Sequence, residues 1–176
     1  VELTASKQDV EIVPGHLTSS LAYNGQVPGP LLHARVGDRV IVHFKNDLTK
    51  PTTIHWHGLR ISSEMDGNPM IQDPVPPGGT FTYEFTLPDA GTYWYHPHFN
   101  TAEQIDRGMY GPIVVEEKEP IAFSAERVLV LDDIRLGQKI QIARVEPLVD
   151  NMVESVFRHQ DALLPMARLK NVDDYT

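Results

Sequence analysis

Alternating apolar and polar residues recur in short runs over residues 1–120. In segment 81–87 apolar side chains occupy every second position, which is the pattern of a β-strand with one buried face. Segment 39–44 alternates in the same way and puts His43 on the face opposite most of its apolar residues. Strands are predicted at 10–13, 18–23, 39–44, 81–87, 92–95 and 112–116.

Clusters of glycine and proline separate these runs and favour turns over long helices. The chain has 14 prolines and 12 glycines, many of them grouped, as in segments 24–25, 28–30, 66–69 and 76–79. Short strands at this spacing predict a multi-stranded antiparallel β domain, built as a sandwich or barrel, over residues 1–120.

Residues 121–176 follow a different pattern and are predicted to extend that domain. Segment 127–131 indicates one more strand, after which the β pattern stops. Apolar residues then recur three and four positions apart, which predicts an amphipathic helix at 146–158. Such a helix could be a rearranged linker, an oligomer contact, a non-native sequence after a truncation or frameshift, or a cover for surface that a further domain would bury.

Composition narrows the classes of function. With 15 basic and 24 acidic residues the net charge is −9, which argues against a nucleic-acid partner. No run reaches the roughly 18 apolar residues of a membrane-spanning helix. Val1 opens the chain without Met or a leader, so we expect a soluble, processed or trimmed chain. The absence of cysteine excludes disulfides, thiolate metal ligands and thiol nucleophiles from this sequence.

Two His-x-His pairs stand beside aromatic residues, His55/His57 and His96/His98. On an extended chain, residues two apart project to the same side about 6 to 7 Å apart. Each pair could therefore aim two imidazoles at one metal ion or at two neighbouring ions. Neutral imidazole suits copper, zinc and non-haem iron, and copper binds such sites most tightly among divalent first-row ions. The pattern predicts a metal site and leaves the metal open.

In the alternative without a metal, the paired histidines would be surface strand residues and loop caps. Two motifs with the same spacing argue against this alternative. The other histidines are isolated and are predicted to be surface or packed residues without a metal role. They are His16, His33, His43 and His159.

The motifs His55-Trp56-His57-Gly58 and Tyr95-His96-Pro97-His98 resemble the first two of four copper-binding motifs of the multicopper oxidases, which include laccases, cuprous oxidases and bilirubin oxidases. The resemblance covers roughly residues 2–133. It also includes segments 23–30, 36–38, 66–67, 76–78, 89–93 and 108–115. It implies a cupredoxin-like Greek-key β-sandwich or barrel, the N-terminal domain of such an oxidase, followed by a strand similar to the start of a second domain.

By this resemblance His55 ligates a type 2 copper, while His57, His96 and His98 ligate a type 3 pair. These are half of a trinuclear cluster, whose other four histidines come from the last cupredoxin domain, on the same chain or on a neighbouring subunit, as in a homo-oligomer. The family's type 1 copper needs a cysteine, which this sequence lacks. The implied activity is copper-dependent oxidation of a reducing substrate with dioxygen as acceptor, in a periplasmic or secreted protein, with this chain inactive alone.

Asp66 follows His55 by eleven residues, where related oxidases carry an acidic residue that assists proton delivery to oxygen. Reducing dioxygen to water consumes protons that a buried centre cannot draw freely from solvent, so such a group is needed. Asp66-Gly67 is equally typical of a simple turn, and the two roles are compatible. Strand alternation predicts that Trp56 points away from its flanking histidines into the core, and that Trp94 shares the face of His96.

Other functions stay open. An isolated copper-binding or copper-buffering domain would hold one or two ions without turnover. A cupin-like zinc or iron enzyme also uses a His-x-His pair, but Glu64 lies too far past His57 for cupin ligation, and the second pair would have no role. A copper nitrite reductase is disfavoured because its first domain would carry a cysteine. A ligandless relative, such as the cell-division members of the superfamily, is disfavoured by the four histidines.

Overall fold

The computed structural model describes residues 1–119, 122, 126–136 and 139–147. Strands dominate these residues, with one short α-helix, α1 (Thr101–Asp106), and one 3-10 turn (Ser63–Met65). The strands are β1 (Glu2–Val13), β2 (His16–Tyr23), β3 (Leu32–Arg35), β4 (Arg39–Asn46), β5 (His55–His57), β6 (Thr80–Thr86), β7 (Gly91–His96), β8 (Gly111–Glu116), β9 (Leu129–Leu136) and β10 (Lys139–Pro147). Neither helix in this part of the chain is long and apolar enough to cross a membrane.

Two four-stranded sheets form the body of the molecule. Their strand orders are β2-β1-β4-β6 and β3-β8-β7-β5, while β9 and β10 pair as a hairpin. The chain passes back and forth between the two sheets, as Greek-key sandwiches do. The predicted all-β Greek-key sandwich is confirmed.

The expectation of a multi-stranded antiparallel domain is wrong at two pairings. β1 and β4 run parallel, with Glu2 opposite His43, and β3 and β8 run parallel, with Leu32 opposite Ile113. In both cases the two paired strands are not consecutive in the chain, which visits the other sheet between them. Alternation of apolar residues reports which face of a strand is buried, and it carries no information on direction.

Apolar side chains from both sheets form one core between them. Tyr83 and Phe85 of β6 are 0% and 8% exposed, as the alternation in that segment predicts. Trp56 of β5 is fully buried, and its ring centroid lies 5.4 Å from that of Tyr83 and 4.9 Å from that of Phe85. Because Trp56 faces the core as predicted, its flanking histidines project from the other face of β5.

The strand predicted at 127–131 corresponds to β9, which begins at Leu129 and runs on to Leu136. β10 was not predicted, because segment 139–147 was expected to lie in a region where the β pattern had stopped. The predicted helix at 146–158 overlaps β10 at Glu146 and Pro147, and these two residues are strand. The remainder of that helix, and His159, lie outside the described residues.

Candidate metal centre

The two histidine pairs meet on neighbouring strands. β5 and β7 are antiparallel, with His55 opposite His96 and His57 opposite Trp94. Directly opposite residues on antiparallel strands have Cβ atoms about 4.5–5.5 Å apart. The register of two strands therefore brings together three of the four paired histidines on one face of the sheet.

Four imidazoles converge at this point. One ring nitrogen each of His55, His96 and His98 lies within 4.8 Å of the others. His57 joins them through Nδ1, which is 3.1 Å from Nε2 of His96. The rings of His55 and His98 stack, with centroids 3.9 Å apart and an interplanar angle of 17°. All four histidines singled out in the sequence are thus neighbours in the structure.

The contact between His57 and His96 is chemically informative. Nδ1 of His96 lies 3.0 Å from the carbonyl oxygen of Pro97, so the neutral ring carries its proton on Nδ1 and has a lone pair on Nε2. His57 presents Nδ1 to that lone pair, an arrangement that needs a proton or a cation between the two nitrogens. Two imidazoles bound to one ion at about 2.0 Å each have nitrogens about 3 Å apart. The donor set and its spacing therefore fit a shared metal ion.

Asp66 orients His55 from the loop that follows β5. Its Oδ1 lies 2.9 Å from Nδ1 of His55, and its carbonyl oxygen lies 3.1 Å from the same nitrogen. With Nδ1 occupied, Nε2 of His55 remains for a metal. The side chain of Asp66 is 28% exposed, so it touches both the histidine cluster and solvent.

Gly67 allows this loop to approach β5 so closely. Its φ is +68°, and a Cβ placed there would lie 2.1 Å from the carbonyl oxygen of Ile54. A side chain would therefore displace the peptide that precedes His55. Asp66-Gly67 is both a turn and a contact to the candidate metal centre, consistent with the compatibility noted from the sequence.

The second pair extends past the sheet. β7 ends at His96, so His98 is outside the strand. The His98 N–H donates to Oγ1 of Thr53 at 3.1 Å, and Thr53 is fully buried. Helix α1 follows, and its Gln104 accepts a hydrogen bond from Oγ1 of Thr52 at 2.7 Å.

Burial favours the neutral form of two of the four imidazoles. Burial lowers the pKa of His96 to about 4, and the neighbouring imidazoles act in the same direction, against the hydrogen bond to Pro97. Burial also lowers the pKa of His98. Both rings are therefore uncharged near neutral pH, which is the form of histidine that binds a metal ion.

The other described histidines lie apart from the cluster. His16, His33 and His43 are exposed, as predicted, and Nε2 of His33 is 3.1 Å from a carboxylate oxygen of Glu116. Within the described part of the chain, they are not among the histidines whose ring nitrogens lie within metal-ligand distance of one another. Their isolation in the sequence is matched by isolation in space.

Sequence reasoning missed the residues that support the histidines. Oη of Tyr83 accepts the Ile54 N–H at 2.8 Å, and Oγ1 of Thr53 accepts the His98 N–H at 3.1 Å. The spacing of Thr53 two residues before His55 was the available signal, because such positions can share a face. Tyr83 is 29 residues from its partner Ile54, so no local pattern could connect them.

Comparison with known families bears on this centre. A family model described as multicopper oxidase matches residues 4–120. The chain is 43% identical over 135 residues to the protein named multicopper oxidase MmcO of Mycobacterium tuberculosis, covering 76% of this chain and 26% of that protein. It is 42% identical to a copper resistance protein A homolog of Pseudomonas syringae pv. tomato, covering 75% and 22%. The chain spans about a quarter of the length of these curated relatives.

Solved structures give the same picture. The chain is 52% identical to a multi-copper oxidase from Pseudomonas thermotolerans, with a TM-score of 0.68 over 71% of this chain and 31% of that one. It is 45% identical to a multi-copper oxidase from Pseudomonas parafulva, with a TM-score of 0.74 over 85% and 36%. In both comparisons most of this chain matches about a third of the other protein.

Proposed function

Because the chain belongs to the multicopper oxidase family, we propose that it supplies four histidine ligands to a trinuclear copper centre that reduces dioxygen to water while a substrate is oxidised. His55 would ligate the type 2 copper, and His57, His96 and His98 the type 3 pair. The observation that carries this proposal is the 3.1 Å approach of His57 Nδ1 to His96 Nε2 within a cluster of four imidazoles. Nitrogen donors without a thiolate suit copper in this family.

We infer that these four ligands are half of the centre. The chain corresponds to 26% of one curated relative and 22% of another, and the family resemblance assigns the other four histidines to a further cupredoxin domain. This chain contains no cysteine for the type 1 copper through which substrate electrons enter. We therefore expect turnover only with a C-terminal cupredoxin domain, on the same protein or on a neighbouring subunit.

The chain's own contribution is to hold the imidazoles in place before copper binds. The β5–β7 register sets His55, His57 and His96, and the ring of Trp94 lies beside two of them, 4.9 Å from His57 and 4.0 Å from His96 between centroids. A rigid aromatic wall restricts ring rotation and keeps ligand nitrogens at fixed separations. Copper, when bound, supplies the redox chemistry by which dioxygen takes up electrons.

We also propose that Asp66 moves protons to this centre. Its Oδ1 accepts the Nδ1–H of His55, and its partial exposure gives protons from solvent a path to the carboxylate. Asp66→Asn keeps an oxygen acceptor for His55 but removes the ionisable group. In the complete oxidase we expect slower dioxygen reduction at unchanged copper content, with Asp89→Asn as control, since Asp89 pairs with the exposed Arg60. Equal turnover of Asp66→Asn and wild type would rule out the proton role.

Copper titration of the metal-free chain tests the ligand assignment. Cu(II) binding followed by electron paramagnetic resonance should show nitrogen hyperfine structure from imidazole. His57→Ala and His96→Ala should each weaken binding about tenfold or more. His33→Ala and His43→Ala are matched controls on exposed histidines. Equal binding by all four variants would contradict the proposed ligands.

Reconstitution separates an oxidase domain from a copper-buffering domain. The copper-loaded chain would be mixed with a C-terminal cupredoxin fragment that supplies the remaining histidines and the cysteine. Recovered oxidation of a phenol or diamine supports the oxidase. Copper binding with no oxidation in the mixture, under conditions where the two fragments associate, would favour a copper-buffering domain instead.

We propose a periplasmic or secreted location for the complete protein, as the family resemblance implies. Relatives named copper resistance protein A and laccase are compatible with that location. Fractionation of cells that express the full-length protein tests it, and recovery in the cytoplasm alone would contradict it.

A further inference from the structure

The four histidines do not receive the same support from the sheet. The β5–β7 register places His55 opposite His96 and ends there. His98 lies beyond β7, so no strand pairing determines its position. Its backbone N–H instead donates to a side chain, Oγ1 of Thr53, at 3.1 Å. The backbone N–H of this candidate ligand is therefore held by a side-chain hydroxyl group and not by a strand.

Thr53 is held rigidly by its neighbours on both sides. Thr52 pairs with Val75 through two backbone hydrogen bonds, of 3.1 and 2.8 Å. The Ile54 N–H donates to Oη of Tyr83 at 2.8 Å. Thr53 itself is 0% exposed, so no solvent competes for its hydroxyl. A buried acceptor on a fixed backbone is a firm point of attachment for the His98 amide.

The ring of His98 lies against the ring of His55, with centroids 3.9 Å apart and planes 17° from parallel. A shift of the His98 backbone would separate the two rings and move one nitrogen out of the cluster. We propose that the Thr53 hydroxyl is a positioning group that holds His98 against His55 in the metal centre. Its effect on copper rests on the proposed function, whereas the ring placement is a property of the metal-free chain.

Thr52 provides a matched control. It is also 0% exposed and also donates through its hydroxyl to the region after β7, to Oε1 of Gln104 at 2.7 Å. Gln104 Nε2 in turn donates to the carbonyl oxygen of Pro51 at 3.1 Å. Loss of the Thr52 hydroxyl removes a buried hydrogen bond of similar kind, one residue away, without touching a histidine.

The experiment compares Thr53→Val, Thr53→Ser and Thr52→Val with wild type. In the metal-free chains, nuclear Overhauser effects between the ring protons of His55 and His98 report the stacking. We expect this signal in wild type, Thr53→Ser and Thr52→Val, and its loss in Thr53→Val. In Cu(II) titrations we expect Thr53→Val to bind about tenfold more weakly, and the other two variants to stay within about twofold of wild type.

Retained stacking and unchanged copper affinity in Thr53→Val would overturn the proposal. So would equal losses in Thr53→Val and Thr52→Val, since these would indicate general destabilisation of the loop. If Thr53→Val does not fold, Thr53→Ala replaces it in the experiment. Alanine also lacks the hydroxyl and adds no methyl group in its position. If wild type binds no copper, the proposed function fails, while the ring contacts of the metal-free chains still decide the role of Thr53.

Discussion

The two His-x-His pairs have the same spacing but different supports. His55 and His57 both lie in β5 and flank the buried Trp56, so the backbone register and the core set their positions. The second pair spans the end of β7, where His96 is in the strand and His98 is outside it. The fold of the sandwich therefore fixes the positions of the first pair, whereas the position of His98 in the second pair depends on individual side-chain hydrogen bonds. Ligand spacing in a sequence does not reveal how firmly each ligand is held.

The largest effect is expected where the Asp66-Gly67 turn packs on the first pair. In Gly67→Ala the new Cβ would lie 2.1 Å from the Ile54 carbonyl oxygen, and φ would remain +68°. To avoid this overlap, either the peptide that precedes His55 or the Asp66-Gly67 turn must shift. We expect a loss of about 3 kcal/mol in the free energy of unfolding, measured by urea denaturation, from overpacking and backbone strain together.

Gly78→Ala is the control for this prediction. Gly78 has a similar φ of +76°, but no atom lies within 4 Å of its ideal Cβ position. Only the left-handed backbone conformation should matter there, at about 1 kcal/mol. Equal losses in the two variants would show that the turn does not press on the first pair.

Tyr83→Phe should have the next largest effect, because it removes the hydroxyl that accepts the N–H of Ile54, the residue before His55. Oη of Tyr83 accepts two hydrogen bonds, from the Ile54 N–H at 2.8 Å and from Gln72 Nε2 at 3.1 Å. Both donors are buried, so their loss of a partner should lower the free energy of unfolding by about 2 kcal/mol. Tyr95→Phe loses a single bond, to the Pro30 carbonyl oxygen, and should lose about half as much. A larger loss in Tyr95→Phe would reverse this ranking.

Local pattern was enough to predict most strands and the sides of them that face the core. Tyr83 and Phe85 were placed correctly because burial of one face leaves a period-two signal. The four histidines were singled out because their spacing suits metal ligands, and the structure brings their rings together. The opposition of His55 and His96 could not be predicted, since it depends on pairing between strands about 40 residues apart. The supporting roles of Thr53 and Tyr83 could not be predicted for the same reason, because their hydrogen-bond partners are distant in the sequence.

The support from Tyr83 also predicts a pH dependence of stability. Burial raises the pKa of Tyr83 to about 12, although its hydrogen bonds with Gln72 and Ile54 act in the opposite direction. In the unfolded chain tyrosine ionises near its ordinary pKa of about 10, so the folded state holds the proton more tightly. Stability from this group is complete below pH 10 and is lost as the pH rises towards 12. At pH 11 the loss due to Tyr83 should be about 1 kcal/mol.

Urea denaturation at pH 9 and pH 11 measures this loss. Burial raises the pKa of Tyr23 and Tyr95 as well, so wild type should lose more than the share of Tyr83. Tyr83→Phe should reduce the difference between the two pH values by about 1 kcal/mol. If Tyr83→Phe shows the same difference between pH 9 and pH 11 as wild type, the Tyr83 hydroxyl does not contribute to the pH dependence of stability.

The smallest effect is expected at the far end of the second pair, where the chain enters α1. Asn100 occupies the N-cap position of this helix with φ 49° and ψ 45°, and its Nδ2 donates to a carboxylate oxygen of Glu103 at 2.5 Å. Asn100→Gly loses that exposed hydrogen bond, but glycine adopts the left-handed conformation freely. The free energy of unfolding should therefore change by only about 0.3 kcal/mol.

Asn24 is the control for this prediction. It has a similar φ of 52°, but its side chain hydrogen-bonds to the backbone of Thr4 and Glu2, so Asn24→Gly should lower the free energy of unfolding clearly more. Urea denaturation of both variants, with Cu(II) titration of Asn100→Gly, checks this. If Asn100→Gly weakened copper binding, the support of His98 would extend through the cap of α1, and Thr53 would not be its main point of attachment.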